Sequence, residues 1–296
     1  MEDKWTFLVE GQKLGAAISP FFNDVETIVC KNKNIEGGMG IHFYKNAAQG
    51  GDWIIQEKLK NANWLNQILP SNAPLSTMRI ITCSTWSIEK FKGNATDNEL
   101  KDLQNSYKYV TALSSVLRLG RANASTDHSS VLFDVDLQTG EIKGGMSNAQ
   151  WYRLGLKEIF SCPWLPPDVI ANCQQTEENN KNNKNNKYEE EKDSLNSSKK
   201  QNIQSGHSIS HPDLPNVIIT GQYVPDMKSA VDIVTRTHFQ MMPNVPMVGW
   251  DVAFTSKGVY LLEVNLSCNF FRGSFDIPRY IAIVDEYWKM LDKYEE

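Results

Sequence analysis

The sequence predicts an α+β fold built on antiparallel sheets. Strand-like segments outnumber helical ones, and most follow one another across short turns, which suits hairpins better than crossovers. The chain has 296 residues, of which 41% are hydrophobic, with eight Trp, ten Tyr and twelve Phe, enough to bury a sizeable core.

The elements follow in order. From Asp3 to Gly15, Trp5, Leu8, Val9 and Leu14 recur at helical spacing, and Gly15 ends the turn. Thr27–Cys30 reads as a short β-branched strand running into Lys31. Met39–Tyr44 is its partner after a glycine-rich turn, and Trp53–Leu59 is a third strand before a helix-like Ala62–Leu69. Met78–Trp86, Tyr107–Leu119 and Val131–Leu137 are β-rich, and Asp134 and Asp136 edge the last of these before a turn at Thr139-Gly140. Met227–Met242 is helical through Ala230, Ile233, Val234 and Met241. Val248–Thr255 and Val259–Leu266 form a hairpin. Tyr280, Ile283, Val284, Tyr287, Trp288 and Leu291 mark one face of a C-terminal helix.

Composition narrows the function. Thirty Lys+Arg against 35 Asp+Glu leave a net charge of −5, with no basic excess for a nucleic-acid partner. No run of 18 apolar residues reads as a membrane span, and MEDKWTFLVE lacks the pattern of a signal peptide, so a cytoplasmic protein is expected. The five cysteines (30, 83, 162, 173 and 268) contain no CxxC pair and suit neither a disulfide frame nor a zinc site. Residues 174–206 are Asn/Lys-rich, and their six Lys and six acidic residues cancel. Such a stretch cannot bury enough surface to offset its ordering entropy and reads as a disordered insertion.

Two strings carry chemistry. In GWDVAFTSKGVYLLEVNLS, a three-residue loop Ser256-Lys257-Gly258 would pair Thr255 with Val259, so that partners sum to 514 and Asp251 faces Glu263. Asn265 then lies two residues further along that face. A two-residue loop would shift the sum to 515 and put Asp251 opposite Val264. Two carboxylates and a carboxamide on one face call for a cation between them, and oxygen ligands of this kind suit magnesium. In TIVCKNKNIEGGMGIHF, a strand delivers Lys31 to a loop with Gly37, Gly38 and Gly40, whose amides can approach phosphates.

Together these strings resemble the ATP-grasp superfamily, and within it the sugar-transfer-associated and α-L-glutamate ligase-like group. The resemblance covers nearly all of the chain except the Asn/Lys-rich segment. It implies two subdomains, 1–59 and 60–296, with nucleotide held between antiparallel sheets. MEDKW resembles the family's first ATP-contacting lysine, here Lys4; IVCKNKNIEGGMGIHF resembles the second, Lys31, with Gly37, Gly38 and Gly40 over the triphosphate. IIQEKL resembles the adenine linker, through the Gln56 side chain and the Glu57 backbone. PLSTMRIIT resembles a family strand whose arginine, here Arg79, faces the phosphates, and LRLGRANASTDHSS resembles the segment lining the acceptor side, giving Arg118 and Arg121. GWDVAFTSKGVYLLEVN resembles the metal hairpin, with Asp251, Glu263 and Asn265 as ligands of Mg2+ or Mn2+. Arg272 in NFFRG follows that strand and suits an anionic acceptor.

The chain departs from the family pattern at three places: Asn32 replaces a usual proline, His128 follows Asp127 where asparagine is common, and the usual preceding domain is missing before Lys4. That part is expected in a partner protein or a missing N-terminal domain. The resemblance implies an ATP-dependent, ADP-forming carboxylate–amine ligase linked to sugar-transfer pathways, with catalytic Arg79 and Arg121, acting on a small carboxylate and an amine. The alternatives are an Mg-ATP-binding module without ligase activity, or a kinase of the same type.

The insertion supplies the first test. Deleting Gln175 to Ser205 should leave melting temperature and nucleotide binding unchanged, because loop-closure entropy varies slowly with length. Loss of folding in that deletion would make the segment part of the structure.

Overall fold

The central layer is a six-stranded sheet ordered β11-β10-β4-β5-β6-β7, antiparallel throughout. Its strands are β4 (Thr77–Ser84), β5 (Val110–Leu119), β6 (Val131–Val135), β7 (Ile142–Ser147), β10 (Met247–Thr255) and β11 (Gly258–Asn265). In this computed structural model the described residues are 3–21, 27–32, 41–45, 53–127, 130–147, 209–268 and 276–295. They belong to one unit made of residues 1–148 and 208–296. The Asn/Lys-rich segment lies outside the described residues. The α+β class with antiparallel sheets is therefore what this sequence forms.

A second sheet has three strands, β1 (Thr27–Asn32) at its centre between β2 (Ile41–Lys45) and β3 (Trp53–Glu57). A two-stranded ribbon pairs β8 (Ser210–His211) with β9 (Leu214–Ile218). The helices are α1 (Lys4–Lys13), α2 (Asn63–Asn66), α3 (Trp86–Phe91), α4 (Ser106–Tyr109), α5 (Met227–Met241) and α6 (Ile277–Glu295). Asp3 caps α1, its carboxylate accepting from the Thr6 amide at 2.8 Å, and Gly15 leaves the helix with φ of 68°. No helix of the described residues is long and apolar enough to cross a membrane.

The large sheet has two chemically opposed faces. On one, Met78 and Ile80 of β4 lie beside Trp250 and Val252 of β10 and Leu117 of β5, all buried. Helix α5 packs here through Ala230 and Val234, and α1 through Phe7 and Leu8, in a single core. β7 was not foreseen from IKGGMS, because glycine weakens strand patterning. The structure supplies the reason for one of them: a Cβ on Gly145 would lie 2.5 Å from the ring of Phe133, its cross-strand partner. The strand expected from Tyr107 begins instead at Val110, because α4 turns Tyr109 into a satellite core with Trp86 and Phe239. Tyr109 and Phe239 stack with ring centroids 5.8 Å apart.

The small sheet hangs on the hairpin β10–β11. The Leu261 amide donates to the Ala17 carbonyl at 2.7 Å and its carbonyl accepts from Ser19 at 3.0 Å, so residues 17–19 run beside β11. The same segment then reaches β3: the Glu57 amide donates to Pro20 at 3.1 Å and Gln56 Nε2 to Ser19 Oγ at 2.6 Å. Lys257 pairs with Glu57 across the outside.

One polar chain crosses the apolar layer. Trp250 Nε1 donates to Thr82 Oγ1 at 2.8 Å, Thr82 lies 2.7 Å from His238 Nδ1, and His238 Nε2 lies 2.9 Å from the Val245 carbonyl. A carbonyl only accepts, so Nε2 carries the imidazole proton, Nδ1 is the acceptor and the Thr82 hydroxyl donates to it. Every group in the chain is satisfied while the imidazole stays neutral, and burial pushes the His238 pKa down to about 4 from 6.5.

Two outcomes follow. Thr82→Val preserves shape but orphans two buried partners, and should lower unfolding free energy by about 2–3 kcal/mol in denaturant titrations. The unfolded chain takes a proton on His238 near 6.5 and the folded chain only near 4. Stability from this residue is therefore complete above pH 6.5 and is lost as pH falls toward 4, by at most about 3 kcal/mol. A His238→Gln chain should lack that step in its pH–stability curve; an unchanged step would assign it elsewhere.

Candidate functional site

The second face of the large sheet is ionic. Register places Glu263, Asp251 and Arg79 in one row across β11, β10 and β4, with Arg118 of β5 one step along, opposite Thr77. The expected pairing of Asp251 with Glu263 is present, but it is reached differently. Gly258 has the positive φ expected of it, 124°, yet it enters the ladder opposite Thr255, so the first four pairs sum to 513. An irregularity between Val252 and Asp251 leaves Leu262 without a counterpart and restores the sum to 514 at the acidic residues. Without that extra residue Asp251 would face Leu262.

Asp251 is 7% exposed and holds two arginines. Its Oδ1 accepts from Arg79 Nε, and its Oδ2 lies 2.7 Å from Arg118 Nη2. Arg118 Nε is also 3.4 Å from Asp127 Oδ2, which accepts from the Thr77 hydroxyl. Burial alone would raise the Asp251 pKa, but the charges of Arg118 and Arg79 and their hydrogen bonds hold it well below the usual carboxylate range. The Arg118 pKa is raised, because Asp127 and Asp251 more than offset the cost of its burial.

Lys4, on the first turn of α1, reaches over β11 to place its Nζ 3.4 Å from Glu263 Oε2. Lys31, on the central strand of the small sheet, joins from that side. Burial pushes its ammonium pKa down and Lys4 adds to this, while Glu263, Asp251 and Asp127 oppose it. Lys31 has no ion-pair partner within the described residues. Four cations (Lys4, Lys31, Arg79 and Arg118) thus share a site with three carboxylates (Asp127, Asp251 and Glu263).

Two donor atoms of the site are left over. Among the described residues, the buried Arg79 Nη1 and Asn265 Nδ2 meet no acceptor, while Arg118 Nε and Nη2 are taken up by Asp127 and Asp251 as close ion pairs. An orphaned buried donor costs about 1–3 kcal/mol, more when charged, a cost that an acceptor-rich ligand would relieve. An anionic, oxygen-bearing ligand is the chemistry that satisfies them.

Other anticipated residues are placed elsewhere. Arg121 is spent on Asp213 in a bidentate pair, Nε to Oδ2 and Nη2 to Oδ1, each at 2.8 Å. The Ala122 amide and His211 complete that clamp on the turn after β5. Gln56 and the Glu57 amide are engaged by Ser19 and Pro20. Gly37, Gly38, Gly40 and Arg272 lie outside the described residues. Among the described residues no group of three or more His, Cys, Asp or Glu could hold a metal ion.

Three contributors were not singled out from sequence: Thr77, Asp127 and Gly249. The signal for Asp127 was indirect, since two arginines on one sheet face demand carboxylates. Gly249 makes room: a Cβ there would meet Arg79 Nη1 at 3.0 Å and Cδ at 3.2 Å. No protein-family model and no curated protein sequence matches this chain.

The Gly249 clearance is testable. Gly249→Ala should cost only about 1–2 kcal/mol of stability by crowding. It should nevertheless abolish most of the thermal stabilisation by tripolyphosphate, because Arg79 is pushed off its aim. Full retention of that stabilisation would show that Arg79 does not contact the anion.

Proposed function

We propose that the ionic face binds ATP and that the protein is an ADP-forming carboxylate–amine ligase of ATP-grasp type, working in the cytoplasm. The observation that carries this reading is the pair of buried donors, Arg79 Nη1 and Asn265 Nδ2, left without acceptors in a site that also holds Arg118, Lys4 and Lys31. A three-stranded sheet carrying Lys31, tethered to a hairpin carrying the acidic residues, supports the ATP-grasp assignment. The net charge of −5 supports small-molecule partners over nucleic acid.

In this reading Lys4 and Lys31 neutralise the triphosphate, and Arg79 Nη1, with the Arg118 guanidinium beside it, holds the transferred phosphoryl group. A substrate carboxylate oxygen attacks the γ-phosphorus; the bond to the β-phosphate oxygen breaks and ADP leaves. An amine then attacks the acyl phosphate carbon, loses its proton, and inorganic phosphate departs. Positioning and charge neutralisation supply most of the catalysis in such transfers, and no side-chain nucleophile is required. As a metal donor set the three hairpin residues fit unequally: Glu263 is held by one lysine, whereas both Asp251 oxygens are taken by guanidinium groups. Glu263 and Asn265 would hold Mg2+ or Mn2+, which when bound would neutralise charge on the phosphate oxygens.

The test is a screen of carboxylate and amine pools for ADP release, with hydroxylamine added to trap acyl phosphate as a hydroxamate. ADP formation dependent on one carboxylate, with hydroxamate, is expected. A stable phosphorylated alcohol would make the protein a kinase, and ATP binding without ADP from any pair would make it a binding module. Glu263→Gln should fold normally and form ADP on the order of 100-fold more slowly, with a raised metal requirement. Full metal-dependent ADP formation in that variant would remove Glu263 from the site.

A further inference from the structure

We infer that Asp251 is a positioning residue, the shared counter-ion that aims Arg79 and Arg118 at the ligand, and that it does not ligate a metal. The inference rests on the reading above only in taking the ligand to be a phosphate-bearing anion. It departs from that reading's family expectation, which groups Asp251 with Glu263 and Asn265.

Geometry separates the two acidic residues. Asp251 is 7% exposed, and each of its oxygens already faces a different guanidinium, Arg79 Nε on Oδ1 and Arg118 Nη2 on Oδ2. A divalent cation on either oxygen would sit against two fixed positive groups, or would have to expel a buried arginine from the carboxylate oxygen it faces. Glu263 has one close cation in the described residues, Lys4 at 3.4 Å, and its side chain is 26% exposed, so exchange of a flexible ammonium for a metal costs little structure.

Placement by the backbone points the same way. Asp251 is the direct cross-strand partner of Arg79, and Thr77, two residues before it on β4, is the partner of Arg118. Both arginines therefore converge on one carboxylate from neighbouring strands. The clearance at Gly249 lets Arg79 lie flat there, with Nη1 left over. With Asp251 consuming one donor edge of each guanidinium, the remaining N–H groups present a fixed fork to phosphate or carboxylate oxygens. Asp127 and Thr77 brace Arg118 from its other side.

The counter-ion and ligand roles make opposite predictions for Asp251→Asn in the full chain. Removing a buried partner leaves Arg79 without its carboxylate and Arg118 with Asp127 alone, so the melting temperature without ligand should fall by roughly 5–10 °C. Tripolyphosphate should restore more of it than it adds to the wild type, because the anion becomes the missing counter-charge. Mn2+ affinity, read by electron paramagnetic resonance of the free ion, should stay that of the wild type, while Glu263→Gln loses it. A loss of Mn2+ affinity in Asp251→Asn of roughly tenfold or more, the scale of disturbed metal sites, would overturn the inference. So would an unchanged or raised melting temperature.

A measurement on the unmutated chain covers a variant that fails to fold. The Arg79 Nε–H resonance, assigned by its disappearance in Arg79→Lys, should keep its position and slow solvent exchange when Mg2+ is added. Its release by Mg2+ would mean that the metal takes Asp251. If the wild type binds no Mn2+ at all, the metal–nucleotide reading fails, while the melting temperature and the Arg79 resonance still decide the role of Asp251.

Discussion

A single buried carboxylate holding two arginines organises this molecule. Asp251 lies on β10, Arg79 on β4 and Arg118 on β5, three adjacent strands of the large sheet. Ions so far from water are tolerated only when paired, and breaking such a pair costs more than the pair contributes on balance. The triad thus constrains the register of three strands at once, since a one-residue slip would send each ion into the apolar face. Its remaining donors are where the fold accepts a cost, and that cost is the strongest physical sign of a ligand.

The extra residue Leu262 shows how finely this constraint is met. The turn at Ser256-Lys257 sets a ladder that would place Leu262 opposite Asp251, and the irregularity after Val252 moves Glu263 there instead. The bulge restores a two-carboxylate row on the ionic face while Leu261 and Val264 stay in the core. The same stretch of β11 receives residues 17–19, through which the small sheet and Lys31 are brought near Glu263. One hairpin therefore serves as acidic row, edge strand and anchor.

The apolar face answers the ionic one. Trp250 adjoins Asp251 in the chain and points the opposite way, into the core with Phe7, Ile80 and Val234. Its indole N–H is satisfied through Thr82 and a neutral His238, so a large aromatic ring is buried without an orphan. Because neighbouring residues of a strand face opposite sides, the core packing of Trp250 and the ion pairs of Asp251 are set by one and the same strand. The clamp of Arg121 on Asp213 fixes the turn just beyond Arg118 in a similar way.

Sequence alone determined the class of fold, the existence of helices α1, α5 and α6 and the hairpin β10–β11, whereas the row of Asp251 and Glu263 rests on a bulge at Leu262 that no local pattern announced. The helices and the hairpin are legible because period 2, period 3.6 and turn chemistry are local properties of a chain. Only the tertiary structure decided which ions meet. Nothing local to PLSTMRIIT or GWDVAF states that Arg79 will lie against Asp251, 172 residues away, that Asp127 and Thr77 will brace Arg118, or that Arg121 will turn from the site to Asp213. A charged side chain has no sequence signature for its partner; the pairing follows from strand order, and strand order is settled by burial of the opposite face.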